Sequence, residues 1–259
     1  NPDFSDEEIY QIARKINTAQ LQYITYFEYL PSLGINLPQY SGFDSSIDPR
    51  ITNEFSALAF RVGHSQINEA TLRLGFDYDF SEYQPILLSD GFWNPSSMIE
   101  EGGIEAILRG AAVSTQAAND IFMVNSLRNA MFGAPGQGGL DMCAIDIQRG
   151  RDHGLPSYNS LREYFGLQPA TNWSQISNDL DVIDRMTEAY PNINQTDPIM
   201  GMYSETHLEN SSLGSSMHAL IEDQFLRLRD GDLFYFQNDP ELIPHMSSIM
   251  NSTLTSIIL

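Results

Sequence analysis

A single lysine, Lys15, and a single cysteine, Cys143, stand in a chain of 259 residues. One thiol cannot close an intrachain disulfide, so cysteine usage leaves the redox compartment open. Basic residues are scarce altogether: 13 Lys and Arg face 34 Asp and Glu, a formal net charge of −21. Such a surface repels phosphate backbones, so nucleic acid is not expected as a partner. It favours neutral or cationic small molecules, although a solvated acidic face is the plainer reading of the excess. Long apolar runs are missing too. None approaches the roughly 20 residues that span a bilayer, and no basic-then-apolar leader opens the chain, so a soluble protein without a membrane span is expected. No stretch alternates well enough to read as a strand, and no internal repeat is visible.

What is present is helical. Ser5-Asp6-Glu7-Glu8 is a capping box, and Ile9, Ile12, Ala13, Ile16, Leu21 and Ile24 continue near helical spacing toward Tyr29. Asp48-Pro49 places a capping side chain before a proline suited to a first turn, predicting a helix to about Leu74 with apolar residues on two faces. Ser97-Met98-Ile99-Glu100 is a further capping box. A helix is expected after Asp120, stopping at Gly133, followed by the loop 134–139. Two more are expected: Pro156 to Phe165, closed by Gly166, and Ser216 to Leu228, closed by the turn Arg229-Asp230-Gly231-Asp232. The fold class is therefore mainly α, and one domain over 1–259 is expected, a length that buries a substantial core.

Two motifs carry chemistry. The first is Phe60-Arg61-Val62-Gly63-His64; the second is Gln148-Arg149-Gly150-Arg151-Asp152-His153-Gly154-Leu155-Pro156-Ser157-Tyr158, preceded by Ile145-Asp146-Ile147. A lone histidine on an apolar helix ordinarily reads as a hydrogen-bonded core residue. In this order and at this separation, however, the pair resembles the markers of the animal-type haem peroxidase superfamily. The resemblance runs from about Asn1 to about Asp239 and corresponds to the C-terminal two-thirds of a family domain. It implies a mainly helical haem-peroxidase domain binding haem b or a derivative, with His64 as the axial iron ligand. Gly63 beside it would let a flat macrocycle approach. Asp146 falls where the family commonly has an asparagine that accepts from the far imidazole nitrogen; an aspartate would accept more strongly. Arg149 falls on a propionate clamp and Arg61 is a weaker candidate for the same work, the alternative for both being an internal salt bridge. Met142 and Ile145 fall on positions at the haem edge and would otherwise be ordinary core.

Arg151, Asp152 and His153 look catalytic as a string but read as a buried polar network anchoring the next helix, and Asp230-Gly231-Asp232 as a turn lock. His207, His218 and His245 are scattered. No Cys/His zinc cluster, zinc-protease helix, phosphate-cradling glycine loop or Gly-x-Ser-x-Gly elbow competes with this reading. The resemblance implies that the distal histidine and arginine, the calcium site and any carboxylates bonding covalently to haem lie upstream, so no catalytic distal residue is expected in this chain. Asn1 in place of Met and the apolar Ile257-Ile258-Leu259 read as cut ends of a longer protein, or of a precursor whose upstream chain completes the site. The implied activity uses hydrogen peroxide to oxidise small donors or halide; the alternatives are a non-catalytic adhesion module on the same fold and a haem-free helical domain. Four sequons, at Asn172, Asn194, Asn210 and Asn251, favour a secreted glycoprotein.

Overall fold

The computed structural model describes residues 4–80, 82–96, 102–131, 133 and 140–258. Helices dominate, and among these residues the only strands are the two-residue Ala70–Thr71 and Ile86–Leu87, paired antiparallel. No described helix is long and apolar enough to cross a membrane. The expected capping box at 97–100 and the loop at 134–139 lie outside the described residues.

The chain gathers into two compact units, 4–51 with 222–257, and 52–221. In the first, the helix Asp6–Ile24 starts at the expected box: the Ser5 hydroxyl accepts from the Glu8 amide at 3.3 Å, and the Ser5 amide donates to the Glu8 carboxylate at 2.8 Å. The expected line faces inward only in part: Ile24 is buried and Ile16 packs on the core, whereas Ile9 and Leu21 are exposed. Ala19 meets Tyr235, Phe236, Leu242 and Ile249, with Tyr23 and Tyr26 packed around them. The Tyr26 and Tyr235 rings sit edge to face at 5.5 Å. The predicted turn lock is present here: the Asp44 amide donates to the Asp230 carbonyl at 2.8 Å, and a Cβ on Gly231 would lie 2.9 Å from the carbonyls of both Arg227 and Ile47.

The second unit packs Tyr158, Trp173, Ile176, Val182, Met186 and Ile193 into one core. The helix Tyr158–Tyr164 matches expectation, capped by Ser157 and followed by Gly166 at φ 72°. Ser215–Asp230 is also the expected helix, extended by one residue at the start and two at the end. Two expectations fail. The predicted helix from Pro49 to Leu74 is broken: Asp48 turns back on the Arg50 amide (3.0 Å), Thr52 caps the short helix Asn53–Ala57, and Leu58 leaves helical space at φ −126°, ψ −82°. A 3-10 turn, Ala59–His64, follows before the strand. The helix predicted from Asp120 to Gly133 shrinks to Asn125–Asn129, because the Asp120 carboxylate captures the Phe122 amide at 2.7 Å and the chain has left the helix by Ala130.

Candidate functional site

The signature helix Met142–Asp152 is started by Asp141, whose carboxylate accepts from the amides of Cys143 (2.8 Å) and Ala144 (3.2 Å). Along it Met142, Ile145, Asp146 and Arg149 recur at three- and four-residue steps, so four of the expected site residues share one face. Gly150 on the same helix is buried, and a Cβ there would touch Leu58 at 3.5 Å. That close seat brings the helix against the segment carrying the first motif.

The 3-10 form of Ala59–His64 decides what happens next. Residues three apart nearly eclipse in such a helix, so Arg61 and His64 stand one above the other. Both reach Asp146, whose side chain is 1 % exposed. The His64 Nδ1–H donates to Asp146 Oδ2 at 2.6 Å, and Arg61 Nη1 donates to Asp146 Oδ1. A carboxylate facing a guanidinium only accepts, so Nδ1 is the donor in this bond, and in the neutral ring the lone pair then falls on Nε2. Among the described residues that Nε2 has no hydrogen-bond partner, and the His64 side chain is 28 % exposed. Space is open beside it, since a Cβ on Gly63 would meet nothing within 4 Å.

The remaining expected residues divide. Arg149 is exposed, and its guanidinium makes no hydrogen bond or ion pair among the described residues. Arg61, expected as a second clamp, spends Nη1 on Asp146, and its buried Nε has no partner among the described residues. Met142 is buried and Ile145 half-buried. Arg151, Asp152 and His153 are all exposed, so no buried network exists there. Arg151 pairs with Asp197 across 2.6 Å, Gln148 donates to Asp152, and His153 Nδ1 donates to the Asn53 side chain at 2.6 Å. His207 donates its Nε2–H to the Asn119 carbonyl at 2.6 Å. Sequence reasoning missed Tyr203, whose hydroxyl donates to the Arg61 carbonyl at 2.7 Å and whose acidity burial weakens. It lies 142 residues from Arg61, and nothing in its neighbours marks it.

The family profile described as animal haem peroxidase matches residues 1–259. The chain belongs to the animal haem peroxidase family. It is 37 % identical over 242 residues to Peroxinectin A of Dictyostelium discoideum, covering 93 % of this chain and 45 % of that one. To myeloperoxidase of Mus musculus it is 38 % identical over 250 residues, covering 92 % and 35 %. Among solved structures, Peroxidase A from Dictyostelium discoideum superposes with a TM-score of 0.90 at 36 % identity, over 99 % of this chain and 49 % of that one. Fatty acid alpha-dioxygenase of Arabidopsis thaliana superposes with a TM-score of 0.81 at 17 % identity, over 100 % and 48 %, a likeness of fold alone. The chain thus spans less than half the length of these relatives. Family members use haem iron, and the residues of this site fit such a group. Among the described residues the imidazole has no hydrogen-bond partner at Nε2, its other nitrogen is held by a carboxylate, and the unpaired Arg149 guanidinium stands on the same helix face as that carboxylate.

Proposed function

We propose that this chain supplies the proximal wall of a haem peroxidase site, in which His64 would hold the iron through Nε2. Asp146 fixes the direction and tautomer of the ring by accepting from Nδ1, and makes the ligand more electron-rich. Arg149 is the residue free to clamp a propionate, where a planar fork of donors matches a carboxylate. Met142 and Ile145 supply apolar surface at the edge of the group, and Gly63 leaves the approach unobstructed. Haem iron, when bound, supplies the redox chemistry by which hydrogen peroxide oxidises small donors or halide. Proton transfer to and from peroxide needs a distal base, which this reading assigns, with the distal arginine and calcium, to sequence upstream of residue 1. The reading extends to secretion, supported by the exposure of Asn172, Asn194, Asn210 and Asn251, all four of which would be open to glycans.

One observation carries the reading: an imidazole pinned at one nitrogen by a buried carboxylate, 2.6 Å away, and unpartnered at the other. The full-length haem-loaded protein is expected to show a Soret band that His64→Ala abolishes. Undiminished haem uptake with an unchanged Soret band in that variant would overturn the assignment.

A further inference from the structure

The geometry points to Arg61 as a positioning residue that acts through Asp146, setting how strongly that carboxylate pulls on the His64 imidazole, and not as a clamp for a propionate. The inference rests on the reading of His64 as an axial ligand and adds to it a second residue that governs the ligand's strength.

Asp146 has two oxygens and, among the described residues, two side-chain partners. Oδ1 takes Arg61 Nη1 and Oδ2 takes His64 Nδ1. With 1 % of its side chain exposed, the carboxylate has no water shell to dilute the competition. Charge drawn toward a guanidinium is charge withheld from the opposite oxygen. The ion pair with Arg61 therefore weakens the pull on the imidazole N–H, whereas an unpaired carboxylate in the same seat would pull hardest. The arrangement is built to hold. Arg61 and His64 sit one above the other on the 3-10 turn. The Arg61 carbonyl is tied by the Tyr203 hydroxyl at 2.7 Å, and its side chain is 20 % exposed, so solvent screens the pair little. Arg149 offers the contrast. It is exposed and, among the described residues, unpaired, so the two arginines of the motifs are left with different work.

The test is a double-mutant cycle on the full-length haem-loaded protein: wild type, Arg61→Gln, Asp146→Asn and the double variant, with Arg61→Lys as a charge-conserving control. The readout is the iron–histidine stretching frequency of the ferrous protein by resonance Raman, with the reduction potential measured alongside. Arg61→Gln is expected to raise the stretching frequency and lower the potential. Asp146→Asn is expected to lower the frequency. In the Asp146→Asn background, Arg61→Gln should leave the frequency where Asp146→Asn put it, and Arg61→Lys should stay near wild type. The same shift in both backgrounds, no shift in either, or a Lys variant that behaves like Gln would overturn the role of Arg61 while leaving His64 as the ligand. Absence of an iron–histidine band from the wild-type protein would instead remove the reading beneath it.

Discussion

Cys143 lies one turn before Asp146 on the signature helix, half-buried, with its sulfur 4.0 Å from that of Met200. Burial pushes its thiol up to about 11 from an ordinary 9.0, and the carboxylates of Asp141 and Asp146 add to the shift. A raised folded value stabilises the protein below the unfolded value, so this contribution is intact at neutral pH and is lost as pH climbs from 9.0 through about 11. The thiolate, not the thiol, is the nucleophile, so the native protein at pH 8 is expected to alkylate with iodoacetamide about a hundredfold more slowly than the unfolded chain. Comparable rates in the two states would show that the thiol is neither shielded nor held neutral. The pair of arginines makes the same point from the charged side. Arg61 is committed to Asp146 while Arg149 has no partner among the described residues, and this difference in surroundings separates two residues of identical chemistry.

The start of the helix Ser215–Asp230 depends on a residue outside it. Glu205, with 3 % of its side chain exposed, accepts from the Ser216 amide (2.7 Å) and hydroxyl (2.6 Å), from the Tyr158 hydroxyl (2.5 Å) and from Arg162 Nη1 (2.6 Å). A carboxylate at the first turn satisfies orphan amides and meets the positive end of the helix dipole. It also ties three segments of one unit together. Glu205→Ala would leave the partly buried Arg162 guanidinium without its counter-ion and the buried Tyr158 and Ser216 hydroxyls without their acceptor, and is expected to cost about 3 kcal/mol of stability in urea denaturation. Glu205→Gln, which keeps the hydrogen-bonding shape, should cost less. A loss below about 1 kcal/mol for the alanine variant would reduce the cluster to an ordinary surface contact. The neighbouring helix Pro198–Ser204 shows how tight this region is, since a Cβ on Gly201 would fall 2.2 Å from the Tyr158 ring.

Across the whole chain the dominant long-range force is self-repulsion from a net charge of −21. Salt screens it, because the Debye length falls to about 8 Å near physiological ionic strength. The melting temperature is therefore expected to rise between about 10 mM and about 150 mM NaCl. A fall over that range would mean that local ion pairs such as Arg151–Asp197 outweigh the general repulsion. The two units each bury their own aromatic core, one around Tyr235 and Phe236, the other around Tyr158 and Trp173. The proposed site lies wholly in the second.

Several features could be read from local pattern because local chemistry enforces them. The Ser5 box, the Ser157 cap, Gly166 at positive φ and the long helix after Ser215 are each specified within a few residues, and each is present. The two motifs likewise marked family and fold by resemblance, whereas the shared face of Met142, Ile145, Asp146 and Arg149 came with the observed helix Met142–Asp152. What local pattern missed was decided by competition from partners far along the chain. Residues 49–74 have apolar spacing fit for a helix, yet Asp48, Thr52 and Leu58 break it, and a strand pair and the signature helix claim the pieces. The assignment of Arg61 depended on a carboxylate 85 residues away, and its anchoring on a tyrosine 142 residues away. Spacing along a chain fixes which side chains share a face, whereas the partner that captures a buried charge is settled only when desolvation leaves it one neighbour to choose.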